Sequence, residues 1–111
     1  MAEVSKEVQD KALEIVEVAK STGKIKKGIN EVTKILERGN AKFVVYAEDV
    51  NPKEITMHLP LLAKEKEVPC VAIPTKDDLG AAAGLAVGTA AVVVVTEGNS
   101  KDIIAEVKKQ L

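Results

Sequence analysis

Residues 90–96 read Ala-Ala-Val-Val-Val-Val-Thr, and this mostly β-branched run predicts the central strand of a sheet. A continuous apolar strand of this kind is typical of a sheet that helices cover on both faces. The apolar runs 42–47 and 70–73 predict two more strands, and the alternating segment 24–26 predicts a short one. The sheet is therefore expected to have about four strands.

Helices are predicted between these strands. Apolar residues at helical spacing indicate a helix over 4–20, with Ser5 as its N-cap, and a second helix over 29–38 between Gly28 and Gly39. The buried face of this second helix is expected to comprise Ile29, Val32, Ile35 and Leu36.

Two further helices and a broken one complete the pattern. Asn51-Pro52 opens a helical region, and Pro60 is expected to divide it into a short helix and one that runs through Glu67. Thr75 is expected to cap a helix that crosses Ala83, and the last helix covers 101–109. Because helices alternate with strands, we predict an α/β fold: one domain over 1–111, a three-layer α/β/α sandwich with about four mixed strands and about five helices.

One alternative organisation competes with the sandwich. Residues 79–96 contain no charge, and a run of eighteen uncharged residues is nominally long enough to span a bilayer. Gly80, Gly84 and Gly88 also match the spacing of small residues in membrane helices. The run nevertheless divides into a glycine-rich half and a β-branched half, which favours a helix, a loop and a strand.

Composition excludes several function classes. Aromatic residues are 2% of the 111, so the stacking platforms of most single-strand binders are missing. Cys70 has no partner for a disulfide, and it is expected to lie in the core.

His58 has no second His or Cys to complete a metal site, so a capping or packing role is expected. We therefore predict no metal and no cofactor. The chain does not open with a basic segment followed by an apolar stretch, so we also predict a cytoplasmic location.

The charge is distributed unevenly, although the net charge is only −1. Residues 20–42 contain seven cations and two anions, which leaves the rest of the chain at −6. Such asymmetry concentrates positive potential on one side of a small domain. It is compatible with a nucleic-acid partner or, equally, with a solvated helix face.

The helix over 29–38 carries the best candidate site. Asn30, Lys34 and Arg38 are spaced four apart and so share one polar face. Asn30 and Glu31 stand in the first turn, where free backbone N–H groups favour an anion. Asn, Glu and Lys together offer the donors and acceptors that read base edges. The alternative is a surface helix on which Glu31 and Lys34 form an ion pair.

An enzyme is disfavoured. Glu48 and Asp49 form a carboxylate pair at a strand end, but no nucleophile or base accompanies them. The glycines at 80, 84 and 88 lack the spacing of a dinucleotide or phosphate loop. Two other functions compete with nucleic-acid binding: a small nucleotide-binding or metabolic α/β domain, and a small α/β scaffold that acts through protein contacts without specific nucleic-acid readout.

The motif Lys26-Lys27-Gly28-x-Asn30-Glu31-x-Thr33-Lys34-x-x-Glu37-Arg38-Gly39 resembles the archaeal ribosomal protein L7Ae family. Segments 47–50, 58–62, 78–80 and 97–98 continue the resemblance in order along nearly the whole chain. The resemblance implies an α/β/α sandwich that binds kink-turns, which are RNA loops bent sharply around tandem sheared G·A pairs.

The resemblance also implies roles for particular residues. Asn30, Glu31 and Lys34 would address the sheared guanines, while Lys27, Arg38 and Lys42 would supply charge for the RNA backbone. The loop before the last strand would contact a flipped-out nucleotide through Leu85, Ala86 and Val87. The implied interface thus comprises Lys26, Lys27, Gly28, Asn30, Glu31, Lys34, Arg38, Lys42, Leu85, Ala86 and Val87.

This loop departs from the family pattern. Many members carry a polar residue near Ala86 and a proline where Gly88 stands. A glycine is expected to loosen the loop through backbone entropy, so affinity or RNA selectivity is expected to differ.

The partners implied by the resemblance are large-subunit ribosomal RNA, box C/D and H/ACA guide RNAs and ribonuclease P RNA, with a role in tRNA processing. Other ribonucleoprotein assembly proteins would then dock on the bent RNA. The chain is expected to act as a monomer, away from membranes.

Overall fold

The computed structural model describes residues 6–50 and 54–110. Its five α-helices are α1 (Lys6–Thr22), α2 (Ile29–Arg38), α3 (Glu54–Glu65), α4 (Lys76–Ala82) and α5 (Lys101–Lys109). Its four strands are β1 (Lys24–Lys27), β2 (Phe43–Ala47), β3 (Cys70–Ile73) and β4 (Ala91–Thr96), and a 3-10 turn, Gly98–Ser100, precedes α5. The helices and strands alternate as predicted.

The strands form one mixed sheet in the order β1-β4-β2-β3. β4 pairs antiparallel with both β1 and β2, and β2 pairs parallel with β3. The β-branched run therefore lies inside the sheet, as predicted. Lys27 lies opposite Val92 and Phe43 lies opposite Val94, so β1 ends near the start of β4, whereas β2 begins in the second half of β4.

Apolar side chains form a core on each face of the sheet. On one face, α1, α4 and α5 cover Val45, Val92 and Val94. On the other face, α2 and α3 cover Val44 and Val93. This alternation of neighbouring strand residues between two cores builds the predicted three-layer α/β/α sandwich.

The expected break at Pro60 is wrong, because α3 continues through it from Glu54 to Glu65. A proline inside a helix costs roughly 3 kcal/mol, since it removes one donor and crowds the preceding turn. Leu59 and Ala63 lie four residues apart on the inner face of α3 and are fully buried. Their burial against the sheet offsets that cost and holds the helix together.

Other boundaries differ little from the predictions. α2, β3 and α5 begin and end where they were expected, while α4 ends at Ala82 and Ile29 is only partly buried. The predictions for Val4, for the Ser5 cap and for Asn51-Pro52 fall outside the described residues. In the described part of the chain, no helix is long and apolar enough to cross a bilayer.

Candidate nucleic-acid interface

The start of α2 lies beside the start of β4. Gly28 turns the chain from β1 into α2 with a φ of 94°, a backbone conformation that residues other than glycine rarely adopt. Its N–H donates to the carbonyl of Ala91 at 3.0 Å. Because Ala91 begins β4, this bond places the first turn of α2 next to the loop that precedes β4.

α2 has a buried side and an exposed polar side. Val32, Ile35 and Leu36 are buried, and the exposed residues are Asn30, Glu31, Lys34, Glu37 and Arg38. From Asn30 to Arg38 the exposed face extends roughly 12 Å at the helical rise.

A hydrogen bond between helices fixes α2 against α3. The hydroxyl of Thr33 lies 2.8 Å from His58 Nε2. His58 therefore has a packing role, as predicted, and Thr33 sets the side of α2 that turns towards α3. Its place in the motif gave no indication of this contact, because the partner lies 25 residues away.

The first turn of α2 has no side-chain cap. Gly28 has no side chain to offer, and the Val32 N–H begins the helical pattern by donating to the Gly28 carbonyl at 3.0 Å. Within residues 6–50 and 54–110, no side chain accepts from the three N–H groups between them. Uncapped N–H groups at a helix start are ready to bind an anion.

A shallow cleft of about 470 Å³ adjoins this turn. Its lining residues are Lys20, Ile25, Lys26, Lys27, Glu31 and Ala83. Three cations thus face one carboxylate. No ion pair joins any of these side chains among the described residues, and the alternative pair of Glu31 with Lys34 does not form there either.

The loop between α4 and β4 presents an apolar tip. Val87 is 73% exposed, while Leu85 is partly buried against the core. The Leu85 N–H donates to Gly80 O at 2.8 Å and the Thr89 N–H to Lys76 O at 3.1 Å, so both ends of the tip are tied to α4.

Gly88 packs closely on the start of α4. A Cβ built at Gly88 would lie 2.8 Å from the Asp77 carboxylate and 2.9 Å from Lys76 Cγ. The glycine therefore permits a close approach between the loop and α4, in addition to its expected backbone freedom.

The acidic pair at the end of β2 has a structural contact. Asp49 Oδ1 accepts a hydrogen bond from the Lys76 N–H at 2.8 Å, at the first residue of α4. Thr75 caps the same helix as predicted, accepting from the Asp78 N–H at 3.3 Å. Asp49 thus helps to hold α4, and hence the loop after it, at this end of the sheet.

Lys42 lies apart from the other predicted residues. It immediately precedes β2, whose first residue pairs with Val94, in the half of β4 that leads to Thr96. Its neighbours are the lining residues of a second groove, Glu67, Glu97, Lys101 and Lys108 among them. The structure thus brings together the start of α2, the end of β1 and the loop, with Arg38 one helix length away and Lys42 at the opposite end of the sheet.

The remaining candidate groups offer little chemistry. In the part of the chain that the structure describes, no group of three or more His, Cys, Asp or Glu side chains could hold a metal ion. Cys70 is half-buried in β3, and desolvation raises the pKa of its thiol to about 12. At neutral pH it is a protonated thiol, and the core role predicted for it accords with its packing beside the α2–α3 core.

The fold and these contacts define a three-layer α/β/α domain with a basic, uncapped helix start beside an apolar loop. The sequence matches the model of the ribosomal protein L7Ae/L30e/S12e/Gadd45 family over residues 10–104, and the chain belongs to this family.

Individual relatives agree with this assignment. The chain is 51% identical over 109 residues to the large ribosomal subunit protein eL8 of two strains of Halobacterium salinarum, covering 98% of this chain and 91% of theirs. The structure is similar to that of the Giardia lamblia 15.5kD RNA binding protein, with a TM-score of 0.91, 33% identity and coverage of 99% and 92% of the two chains. By their names, these relatives are a ribosomal protein and an RNA-binding protein, which agrees with the non-enzymatic role predicted for this chain.

Proposed function

We propose that this chain, an RNA-binding ribosomal protein of the L7Ae family, recognises kink-turns and stabilises their bent form. The observation that carries the proposal is the meeting of three features at one end of the sheet. They are the uncapped first turn of α2, the exposed polar side chains that follow it, and the apolar tip at Val87.

The α2 side chains supply base readout in this proposal. Glu31 accepts from guanine amino and imino groups, and Lys34 donates to guanine O6 and N7. Asn30 supplies a donor and an acceptor. All three are exposed on one helix whose opposite face is locked in the core, so their spacing is fixed before RNA binds.

The surrounding groups hold the RNA backbone. Lys26, Lys27 and Arg38 neutralise phosphates, and the free N–H groups that follow Gly28 favour an anion at the helix start. Lys42 contacts the backbone further along, since it lies at the far end of the sheet. Leu85, Ala86 and Val87 cover an extruded nucleotide, because the exposed Val87 side chain gives an apolar surface to a base.

Binding would shift a flexible RNA junction towards its bent state by as much as the protein prefers that state. The proposed targets are large-subunit ribosomal RNA, box C/D and H/ACA guide RNAs and ribonuclease P RNA, which connects the chain to tRNA processing. The protein binds them as a monomer in the cytoplasm, and other assembly proteins then dock on the bent RNA.

The proposal is tested by comparing one kink-turn RNA with the same RNA carrying disrupted G·A pairs. Altered pairs cost about 1–3 kcal/mol each when base edges are read, so affinity should fall at least about tenfold. Titration at fixed salt gives both dissociation constants, and fluorescent labels on the two RNA stems report bending. Equal affinity for the two RNAs, or no binding to either, would leave the scaffold function as the better account.

A further inference from the structure

The Lys20 side chain lies across the loop that follows α4. A Cβ built at Gly84 would lie 2.6 Å from Lys20 Nζ and 3.0 Å from Lys20 Cδ. Gly84 has a φ of 77°, so it has the left-handed conformation typical of glycine, and the end of the Lys20 side chain occupies the space beside it. The last turn of α1 thereby contacts the segment that leads to Val87.

Lys20 also lines the cleft beside the first turn of α2, together with Lys26, Lys27 and Glu31. Lys20 therefore reaches both the cleft at the start of α2 and the loop that leads to the apolar tip. No ion pair neutralises it among the described residues, although Glu31 shares the cleft. An ammonium group that shares a cleft with Lys26 and Lys27 adds to a positive potential that an anion can offset.

A solvated surface lysine would need neither contact. Here the end of the side chain, from Cδ to Nζ, lies against a glycine that leaves room for it, and the residue also lines the cleft. The backbone of an RNA that contacts both α2 and Val87 would pass close to the Lys20 side chain.

We infer that Lys20 binds a phosphate of the RNA strand that passes from the start of α2 to the loop at Val87. This inference rests on the proposed kink-turn function and adds α1 to the elements that contact RNA. Lys20 thus becomes a residue that determines affinity for the unpaired strand, through charge and without reading a base.

The test compares Lys20→Gln, Lys20→Arg and Lys24→Gln. Lys24 is also an exposed cation, but it lies at the first residue of β1 and does not line the cleft. Lys24→Gln is therefore the matched control. Lys20→Gln should weaken kink-turn binding about three- to tenfold near physiological salt, and the salt slope should fall by about one. Lys20→Arg should bind as the wild type does, and Lys24→Gln should change affinity less than twofold.

A second measurement locates the contact on the RNA. Single neutral methylphosphonate linkages on 2′-deoxy residues are placed along the unpaired strand, with the 2′-deoxy phosphate as reference. For the wild type, one neutral linkage should lower the affinity. For Lys20→Gln, the same linkage should cause no further loss of affinity, because the variant has already lost that contact. Equal effects of Lys20→Gln and Lys24→Gln, or a loss at that linkage that is the same in both proteins, would overturn the inference.

The two proposals fail differently. Wild-type protein that does not distinguish a kink-turn from its G·A-disrupted form overturns both. Wild-type protein that distinguishes them, with Lys20→Gln unchanged in affinity and salt slope, overturns the Lys20 contact alone. Thermal unfolding of each variant checks that the exposed substitution leaves the fold intact.

Discussion

The two ends of the sheet both carry lysines, but they carry them in different surroundings. At one end, Lys20, Lys26 and Lys27 share a cleft with one carboxylate and an uncapped helix start. At the other end, a groove of about 340 Å³ mixes cations with carboxylates. Its charged lining residues are Lys42, Lys101, Lys108, Glu67 and Glu97.

This difference separates charge from recognition. Lysines alone attract any polyanion, whereas sequence and shape are read by polar groups at fixed positions. Among the described residues, only the first end combines cations with the side chains proposed to read bases, an uncapped helix start and an apolar tip. We therefore expect substitutions at the first end to change RNA selectivity, and substitutions at the second end, where Lys42 offers only charge to the RNA backbone, to leave selectivity unchanged.

The largest effect is expected from the base-reading residues. Glu31→Ala and Lys34→Ala should each cost about 1–3 kcal/mol on a kink-turn, because each removes hydrogen bonds to guanine edges. Glu37→Ala is the matched control, since Glu37 is an exposed carboxylate near the other end of the same helix. Calorimetric titration measures all three. Equal losses for Glu31→Ala and Glu37→Ala would mean that α2 contributes charge only.

The apolar tip should give the next effect. Val87→Asp should cost about 1–2 kcal/mol on a kink-turn, because burying a valine on a base is favourable and a carboxylate repels phosphate. Leu61→Asp is the control, since Leu61 is 71% exposed on α3 and is not among the residues proposed to contact RNA. Competition binding compares the two variants. If Val87→Asp binds as tightly as Leu61→Asp, the loop does not belong to the interface.

A smaller effect separates the two ends by salt dependence. The double variant Lys26→Gln/Lys27→Gln should lower the slope of log affinity against log salt by about two, because two phosphate contacts are lost. The double variant Lys101→Gln/Lys108→Gln makes the same charge change at the other end and should leave the slope unchanged. Titrations at several salt concentrations measure both. Equal slopes for the two double variants would contradict the difference between the two ends.

The smallest effect concerns how α2 is held. Thr33→Val keeps the shape of the side chain but removes the hydrogen bond to His58, which should lower the free energy of unfolding by about 0.5–1.5 kcal/mol. Chemical denaturation measures this loss. In the His58→Ala background, Thr33→Val should cost less, and an equal cost in both backgrounds would contradict the contact.

Local signals predicted most of the elements. The limits of α2 follow from Gly28 and Gly39, both with positive φ, and the burial of Val32, Ile35 and Leu36 follows from helical spacing. The break expected at Pro60 was wrong, because the packing of the inner face of α3 outweighs the tendency of proline to interrupt a helix.

The site was harder to predict where it depends on tertiary contacts. Lys42 follows α2 closely in sequence. Because α2 runs along the sheet, however, Lys42 lies at the end of the sheet away from the start of α2. Lys20 and Gly84 meet although 64 residues separate them, and no pattern in either segment indicates the contact. Asp49 is similar, since its partner at the start of α4 is 27 residues away.

The central claim is that the first turn of α2 reads G·A pairs in a bent RNA. A cycle that combines Glu31→Ala with disruption of the G·A pairs tests it most directly, with four dissociation constants measured at one salt concentration. We predict that Glu31→Ala costs about 1–3 kcal/mol on the intact kink-turn and close to nothing on the disrupted RNA. The same cost on both RNAs would contradict the claim.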